Sequence, residues 1–164
     1  MLKYVDTLVG FREIPDEIAL CINISNCPCK CEGCHSSYLA EDIGKELTIT
    51  ELDRLIASNK GISCVSFMGG DSDHREVNYL ASHVRNNHPE LKTAWYSGRA
   101  YISPGIELEN FDFIKIGPYL EGNGSLDNPN TNQRMYEVRK FNVNTSNLGL
   151  FDITRKFWKN ESNA

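Results

Sequence analysis

The sequence predicts one α/β domain built on a partial, open (βα) barrel of about five or six mainly parallel strands. Segments with strand patterning alternate with segments with helical patterning, which is typical of parallel sheets with right-handed crossovers. The chain has 164 residues, whereas a complete eight-stranded barrel usually needs about 250. No repeat, low-complexity tract or linker divides the sequence, so we expect a single domain over residues 1–164.

Five segments carry strand signals. Residues 17–25, EIALCINIS, have apolar side chains at every second position, as expected for a strand. Residues 61–68, GISCVSFM, form a nearly continuous apolar run that indicates a buried strand. Further strands are predicted at residues 91–97, 112–117 and 135–141.

Two helices are predicted between these strands. In residues 48–58, Thr48 and Glu51 have the spacing of a capping box, and an apolar stripe follows them. The second helix is expected to begin after Asp73, which has the same spacing to a following glutamate, and to end near Pro89.

The composition excludes several classes of function. A formal net charge of -5 argues against a general nucleic-acid-binding protein, because such domains are usually basic. No apolar run approaches the roughly 20 residues of a membrane helix, and the acidic N-terminal segment does not resemble a secretory signal peptide. We therefore expect a cytoplasmic protein without a membrane or nucleic-acid partner. In the reducing cytosol, clustered thiols are more often metal ligands or redox groups than disulfides.

The least ordinary stretch is NCPCKCEGCH, which contains four of the six cysteines. Cys27, Cys31 and Cys34 have the spacing C-x3-C-x2-C, and Cys29 lies between the first two. Thiolates are soft ligands that suit iron–sulfur clusters or zinc. A structural zinc would use four thiolates, or three with His35, but zinc sites usually need a second ligand pair well downstream, and none is present. We prefer an iron–sulfur centre, with zinc and redox-sensing thiols as alternatives.

Three unusual segments follow predicted strands directly: the cysteine-rich loop, Gly69-Gly70-Asp71 and Tyr96-Ser97-Gly98. Because parallel strands end at a common edge, we expect these segments to meet there and to bind a ligand. The two glycines could serve only the turn, or could let the backbone approach the ligand. We prefer the second interpretation.

The C-x3-C-x2-C motif after the first strand, followed by a Gly-Gly-acid turn after the second, resembles the radical S-adenosylmethionine (SAM) enzymes. Within that superfamily, CEGCHSSYL and the later GPYLEGNGSLDNPNTNQRMYEV are similar to the activating proteins of anaerobic ribonucleoside-triphosphate reductases. The resemblance runs from about residue 10 to residue 140. This chain has Asp71 where the commoner residue is glutamate, which keeps the carboxylate.

The resemblance implies that Cys27, Cys31 and Cys34 ligate a [4Fe–4S] cluster whose fourth iron binds SAM, and it leaves Cys29 as the spare thiol. Orientation along the chain does not separate Cys29 from its neighbours. The family's reaction cleaves SAM reductively and transfers a hydrogen atom to the resulting radical, with no catalytic residue beyond cluster and SAM. Cofactor contacts are implied at Gly33, His35, Gly69, Gly70 and Asp71.

The partners implied by the resemblance are a large glycyl-radical enzyme, namely anaerobic ribonucleotide reductase, and a low-potential electron donor such as flavodoxin or ferredoxin. The polar stretch 121–134, EGNGSLDNPNTNQR, is a candidate contact for the partner or the active site. Two alternatives stay open. The chain could be another small radical SAM enzyme, acting on a small molecule or on a different glycyl-radical enzyme, or it could be a zinc-stabilised binding module without catalysis.

Overall fold

The computed structural model describes residues 1–158 and contains one eight-stranded mixed sheet. The last residues of the expected domain, 159–164, lie outside this described part. Along the chain the strands are β1 (Lys3–Gly10), β2 (Ala19–Ile24), β3 (Lys45–Glu46), β4 (Cys64–Met68), β5 (Lys92–Tyr96), β6 (Phe113–Ile116), β7 (Arg134–Lys140) and β8 (Leu148–Asp152). In space their order is β3-β1-β2-β4-β5-β6-β7-β8.

Two α-helices occur within the described residues, α1 (Ile49–Ser58) and α2 (His74–Asn87). Both begin at the predicted caps. The Thr48 hydroxyl accepts a hydrogen bond from the backbone N–H of Glu51 at 3.1 Å, and the Asp73 carboxylate accepts one from the N–H of Glu76 at 3.1 Å. Short 3₁₀ helices cover Ser37–Ala40, Leu108–Asn110 and Thr154–Phe157. Neither α1 nor α2 has both the length and the apolar character that a membrane crossing requires.

The predicted fold class, a partial open (βα) barrel of mainly parallel strands, is wrong. The sheet is strand-rich and mixed, and four of its seven strand pairings are antiparallel. The antiparallel pairings join β1 to β2 and β3, and β7 to β6 and β8. Antiparallel neighbours need no helical crossover, so these flanks add strands without adding helices. The alternation of strands and helices in the sequence describes only the centre of the sheet.

The central strands β2, β4, β5 and β6 are the parallel part of the sheet. Their carboxyl ends therefore lie at one edge, which the following loops extend. The prediction that several unusual segments leave the sheet at a common edge depends only on this parallel centre. That prediction survives the correction of the fold class.

The two faces of the sheet bury different side chains. On one face, α1 and α2 cover a large apolar cluster that includes Leu20, Ile22, Phe67 and Trp95. The other face carries no α-helix of the described chain and buries a smaller cluster, with Met68 and Tyr96 packed at its margin. This smaller cluster consists of Ile14, Ala19, Cys21, Cys64, Ala94, Phe113, Leu126, Met135 and Ile153.

The two cysteines outside the loop belong to this smaller cluster. Cys21 is 1% exposed and Cys64 is fully buried. Burial raises the pKa of Cys21 to about 12 and also raises the pKa of Cys64. Both thiols therefore behave as small buried hydrophobic groups.

Candidate metal centre

The cysteine-rich loop leaves the carboxyl end of β2 and folds back on itself. Backbone hydrogen bonds close it: Asn26 N–H donates to the carbonyl of Glu41 and Cys27 N–H to that of Leu39, each at 2.9 Å. Within the loop, Cys34 N–H donates to the Cys31 carbonyl at 3.2 Å. These bonds hold the four thiols on one compact turn of chain. All four are half-buried and carry no disulfide.

The loop forms one wall of a cleft of about 1330 Å³. The cleft lies beside the smaller apolar cluster, on the face of the sheet away from the helices, because Met68 and Tyr96 both line it. All four cysteines of the loop line it as well. Its volume exceeds the roughly 300–1,000 Å³ of ordinary ligand sites. The cleft therefore has room for more than one bound group.

Asp71 connects the three segments that the sequence predicted at this edge. Asp71 is 4% exposed, and its carboxylate accepts hydrogen bonds from the Ser97 hydroxyl at 2.6 Å and the Gly98 N–H at 2.9 Å. The Cys29 thiol donates to the same carboxylate at 3.7 Å. These contacts confirm that the cysteine-rich loop, the Gly-Gly-acid turn and the Ser-Gly turn meet. The carboxylate acts as a buried brace between them.

Two further polar side chains approach Asp71 from outside the predicted set. His74 Nε2 lies 3.6 Å from Asp71 Oδ1, and Arg99 Nε lies 4.0 Å from the same oxygen. Both nitrogens are buried and make no hydrogen bond within the described residues. His74 and Arg99 thus approach Oδ1 of the brace, whereas the Cys29 thiol contacts Oδ2.

Cys29 contacts Gly98 and Asp71 in addition to lining the cleft. It packs against Gly98 so closely that a Cβ on that glycine would lie 2.9 Å from its sulfur. Burial, followed by the negative charges of Asp71 and Cys27, raises the pKa of the Cys29 thiol to about 12. The structure thus distinguishes Cys29 by its contacts, which sequence reasoning could not do.

The spacing of the ligand atoms bears on the choice between zinc and a cluster. Within residues 1–158, no three potential ligand atoms of the cysteine-rich loop lie within 4.8 Å of one another. A tetrahedral zinc with bonds of about 2.3 Å to sulfur needs its thiolates roughly 3.8 Å apart. A cubane cluster binds each thiolate through a different iron, so its ligands are more widely spaced. The described loop therefore does not hold a preformed tetrahedral zinc site.

The two predicted glycines contact the sheet and the core. Gly69 and Gly70 have φ angles of +113° and +97°, which side chains rarely adopt. The Trp95 indole donates to the Gly69 carbonyl at 2.8 Å, and a Cβ on Gly70 would lie 2.6 Å from Val77 Cγ2. Both glycines are thus needed for the turn and its packing. Their predicted contact with a cofactor remains a prediction.

His35 and Gly33 adjoin an aromatic residue that sequence reasoning missed. The exposed His35 ring lies 5.4 Å from the Tyr119 ring, between centroids, with 57° between the planes. A Cβ on Gly33 would lie 3.4 Å from Tyr119 Cε1. His35 and Tyr119 both line the cleft. Tyr119 follows β6, the fourth parallel strand. Because parallel strands end at a common edge, its position after a strand was the signal that could have identified it.

Lys115 is the second residue that sequence reasoning missed. It lies on β6, is 7% exposed and lines the cleft. Its ammonium donates to the carbonyls of Ser97 at 3.2 Å and Gly117 at 2.8 Å. Burial lowers the pKa of Lys115 to about 8, while the neighbouring thiols and Asp71 oppose that shift. A lysine inside the apolar run FIKI was the available signal.

The polar stretch 121–134 is an ordered loop. Three of its residues line the cleft: Ser125, Leu126 and Gln133. Asn132 donates from its side chain to the Pro118 carbonyl at 3.0 Å. Arg134 pairs with Asp152 at 3.7 Å. These contacts tie the stretch to the rest of the sheet. The predicted contact with a partner remains a prediction.

A family model described as a 4Fe–4S single cluster domain matches residues 16–116. The matched region is more than half of the chain and contains the cysteine-rich loop and strands β2 to β6. The chain belongs to this family. Searches of curated proteins and of solved structures each gave no match. Membership of the 4Fe–4S single cluster domain family supports the predicted [4Fe–4S] cofactor and agrees with the ligand spacing of the loop.

Proposed function

We propose that this 4Fe–4S single cluster domain protein is a radical SAM enzyme that generates a glycyl radical on a separate, large enzyme. Anaerobic ribonucleoside-triphosphate reductase is the first candidate for that partner. One observation carries the proposal most directly. All four thiols of the loop line a large cleft, and of these Cys29 also contacts Asp71 and packs against Gly98.

Three thiolates are the ligand number that this chemistry requires. A cluster with four cysteine ligands has no open iron for a substrate, and three ligands leave one, as catalytic zinc sites keep one position open. In this proposal Cys29 stays in contact with Asp71 and is not a cluster ligand. We therefore assign the cluster to Cys27, Cys31 and Cys34.

The lining of the cleft offers complementary groups for SAM. Lys115 has three N–H donors and uses two of them on backbone carbonyls, which leaves one for an anionic carboxylate. The rings of His35 and Tyr119 form an aromatic wall that suits a purine. When bound, the cluster would supply the single electron that cleaves SAM between its sulfur and 5′ carbon and releases methionine. The 5′-deoxyadenosyl radical left by this cleavage would take a hydrogen atom from a glycine Cα.

The shape of the cleft favours a polypeptide substrate. After a cluster and SAM are accommodated, a volume of about 1330 Å³ leaves space for a further chain segment. Phe11 lines the cleft and is 71% exposed, and an exposed aromatic ring of this kind is typical of a protein contact. In this proposal a low-potential donor, of the flavodoxin or ferredoxin class, supplies the electron.

Transfer of deuterium tests the proposal. The protein is loaded anaerobically with iron and sulfide and mixed with SAM, a strong reductant and the cognate reductase, deuterated at the target glycine Cα. We expect deuterium in 5′-deoxyadenosine and a glycine-centred signal by electron paramagnetic resonance (EPR) spectroscopy. Cleavage of SAM without label or radical would support a small-molecule substrate instead. A loaded protein that does not cleave SAM would contradict the radical SAM assignment.

A further inference from the structure

Asp53, His83 and His88 form a second group of metal-ligand side chains, distinct from the cysteine-rich loop. Asp53 lies on α1 and His83 on α2, and His88 is the C-cap residue that follows α2. The Nε2 atoms of both histidines lie 2.8 Å from the same Asp53 oxygen, Oδ1. In the described part of the chain, this is the one group whose potential ligand atoms all lie within 4.8 Å of one another.

This second group is remote from the cleft. The helix α2 begins beside Asp71 and runs back along the sheet to the start of β5. Its 14 residues span about 20 Å at 1.5 Å per residue. None of the three side chains is among the residues that line the cleft. Whatever binds here therefore does not belong to the cysteine site.

The protonation of the two rings decides between a simple hydrogen-bonded arrangement and a metal site. A ring that donates from Nε2 to Asp53 has an unprotonated Nδ1, whereas a ring that ligates through Nε2 has its proton on Nδ1. His88 Nδ1 lies 3.9 Å from a Glu90 carboxylate oxygen, so a carboxylate is near the outer nitrogen that carries the proton when Nε2 binds a metal. A carboxylate behind the outer nitrogen is the arrangement commonly found for histidines that ligate metals.

The outer nitrogen of His83 faces an amide nitrogen. Asn87 Nδ2 lies 3.2 Å from His83 Nδ1 and also donates to the His83 carbonyl at 3.1 Å. Metal binding through Nε2 puts the ring proton on Nδ1, so the Asn87 side chain has to move when His83 ligates a metal.

We propose that Asp53, His83 and His88 bind a divalent transition metal of the zinc class. Two imidazoles and one carboxylate are a common ligand set for such ions. Bonds of about 2.0–2.1 Å place ligand atoms roughly 3.3 Å apart in a tetrahedron, so the observed 2.8 Å separations need to open by only about half an ångström. Asp53 is 43% exposed, so solvent reaches a fourth position. The ion ties α1 to α2.

Zinc binding to the cluster-loaded, full-length protein tests this proposal. Loose zinc is removed by gel filtration under anaerobic conditions, iron and zinc are quantified, and the zinc is examined by X-ray absorption at its K edge. We expect one zinc per chain in addition to the iron, with nitrogen and oxygen ligands at about 2.0 Å and no sulfur at about 2.3 Å. The sulfur distance separates this site from zinc misplaced on the cysteines.

Variants identify the ligands. Asp53→Asn and His88→Gln preserve hydrogen-bonding groups of similar size, and each should weaken zinc binding by at least the roughly 10–100-fold that loss of a supporting partner costs. Glu46→Gln, which changes an exposed acid on β3, should bind zinc like the wild-type protein. Wild-type protein that binds no zinc beyond sulfur-ligated zinc would overturn the proposal. Variants that keep stoichiometric zinc would do the same.

Discussion

The thiol of Cys29 lies 3.7 Å from the carboxylate of Asp71, so the cysteine that interrupts the C-x3-C-x2-C spacing contacts the brace between three loops. Sequence spacing alone allows any of the four thiols to be a ligand. The contact gives Cys29 a structural partner of its own, and the proposed ligand set is the other three thiols. Four variants with the same substitution separate these roles.

Cys27→Ala, Cys31→Ala and Cys34→Ala should each abolish reductive SAM cleavage, because each removes one of three cluster ligands. Cys29→Ala should keep the cluster and most of the activity. Iron content, the EPR spectrum of the reduced protein and 5′-deoxyadenosine yield measure these outcomes. If Cys29→Ala were inactive and one of the other three tolerated alanine, the ligand assignment would be wrong.

Gly70→Ala should destabilise the protein, since the new Cβ would lie 2.6 Å from Val77 Cγ2. Gly61→Ala is a matched control, because Gly61 has a similar φ of +88° but no atom within 4 Å of a new Cβ. Both variants carry the backbone strain, and only Gly70→Ala adds overpacking, which typically costs about 1–3 kcal/mol. Chemical denaturation measures the difference. Equal losses in the two variants would show that strain alone explains the glycine.

Lys115→Met should weaken SAM binding while the cluster stays intact. The substitution removes the buried ammonium that lines the cleft and keeps an unbranched side chain of similar length. The KM for SAM should rise by about tenfold or more, as expected when a charge-assisted hydrogen bond worth about 1.5–3 kcal/mol is lost. Steady-state kinetics and iron analysis are the measurements. An unchanged KM would exclude Lys115 from the SAM site.

Glu51 should make stability depend on acid pH. Its carboxylate accepts two hydrogen bonds from Arg54, at 2.7 and 2.9 Å, one from the Tyr4 hydroxyl, and pairs with Lys45 at 3.0 Å. These groups, Arg54 first, hold the pKa of Glu51 well below its ordinary value of 4.5. The resulting stabilisation is complete above about pH 4.5 and is lost as the pH falls towards the folded-state pKa.

Glu51→Gln should therefore lower the melting temperature by several degrees at pH 7, and by less as the solution is acidified below pH 4.5. Thermal melts followed by circular dichroism across this range check the result. Glu46→Gln, at an exposed position on the short strand β3, serves as the control. A constant difference between wild type and Glu51→Gln at all pH values would contradict the assignment.

The central strands and both helices could be predicted because their apolar periodicity and caps are local. Of the flanking strands, β7 was predicted, whereas β1, β3 and β8 were not. Within β1, KYVDTLVG, only Tyr4 and Gly10 are buried, and Leu2 is buried just before the strand. The alternation of buried and exposed apolar side chains along β1 is therefore weak. The backbone hydrogen bonds of β1 are made with β2. Strand formation here depends on that partner, which the local sequence pattern does not reveal.

The candidate site divides in the same way. Four cysteines within a few positions are visible in any reading of the sequence. Lys115 and Tyr119 contribute only because β6 ends beside the cysteine-rich loop. Asp53 and His83 are separated by 30 positions and meet because α1 packs beside α2. Clusters assembled by tertiary contact leave no spacing motif.

The closed shape of the cysteine-rich loop affects how the protein recovers from exposure to oxygen. Its ends are joined by backbone bonds from Asn26 and Cys27 to Glu41 and Leu39, and none of these bonds involves a thiol. Much of the conformational entropy of gathering the ligands is therefore lost when the chain folds, before any iron arrives. Oxygen that destroys the cluster removes the metal but not the framework that receives it. We expect damaged molecules to be repaired by simple reinsertion, without refolding.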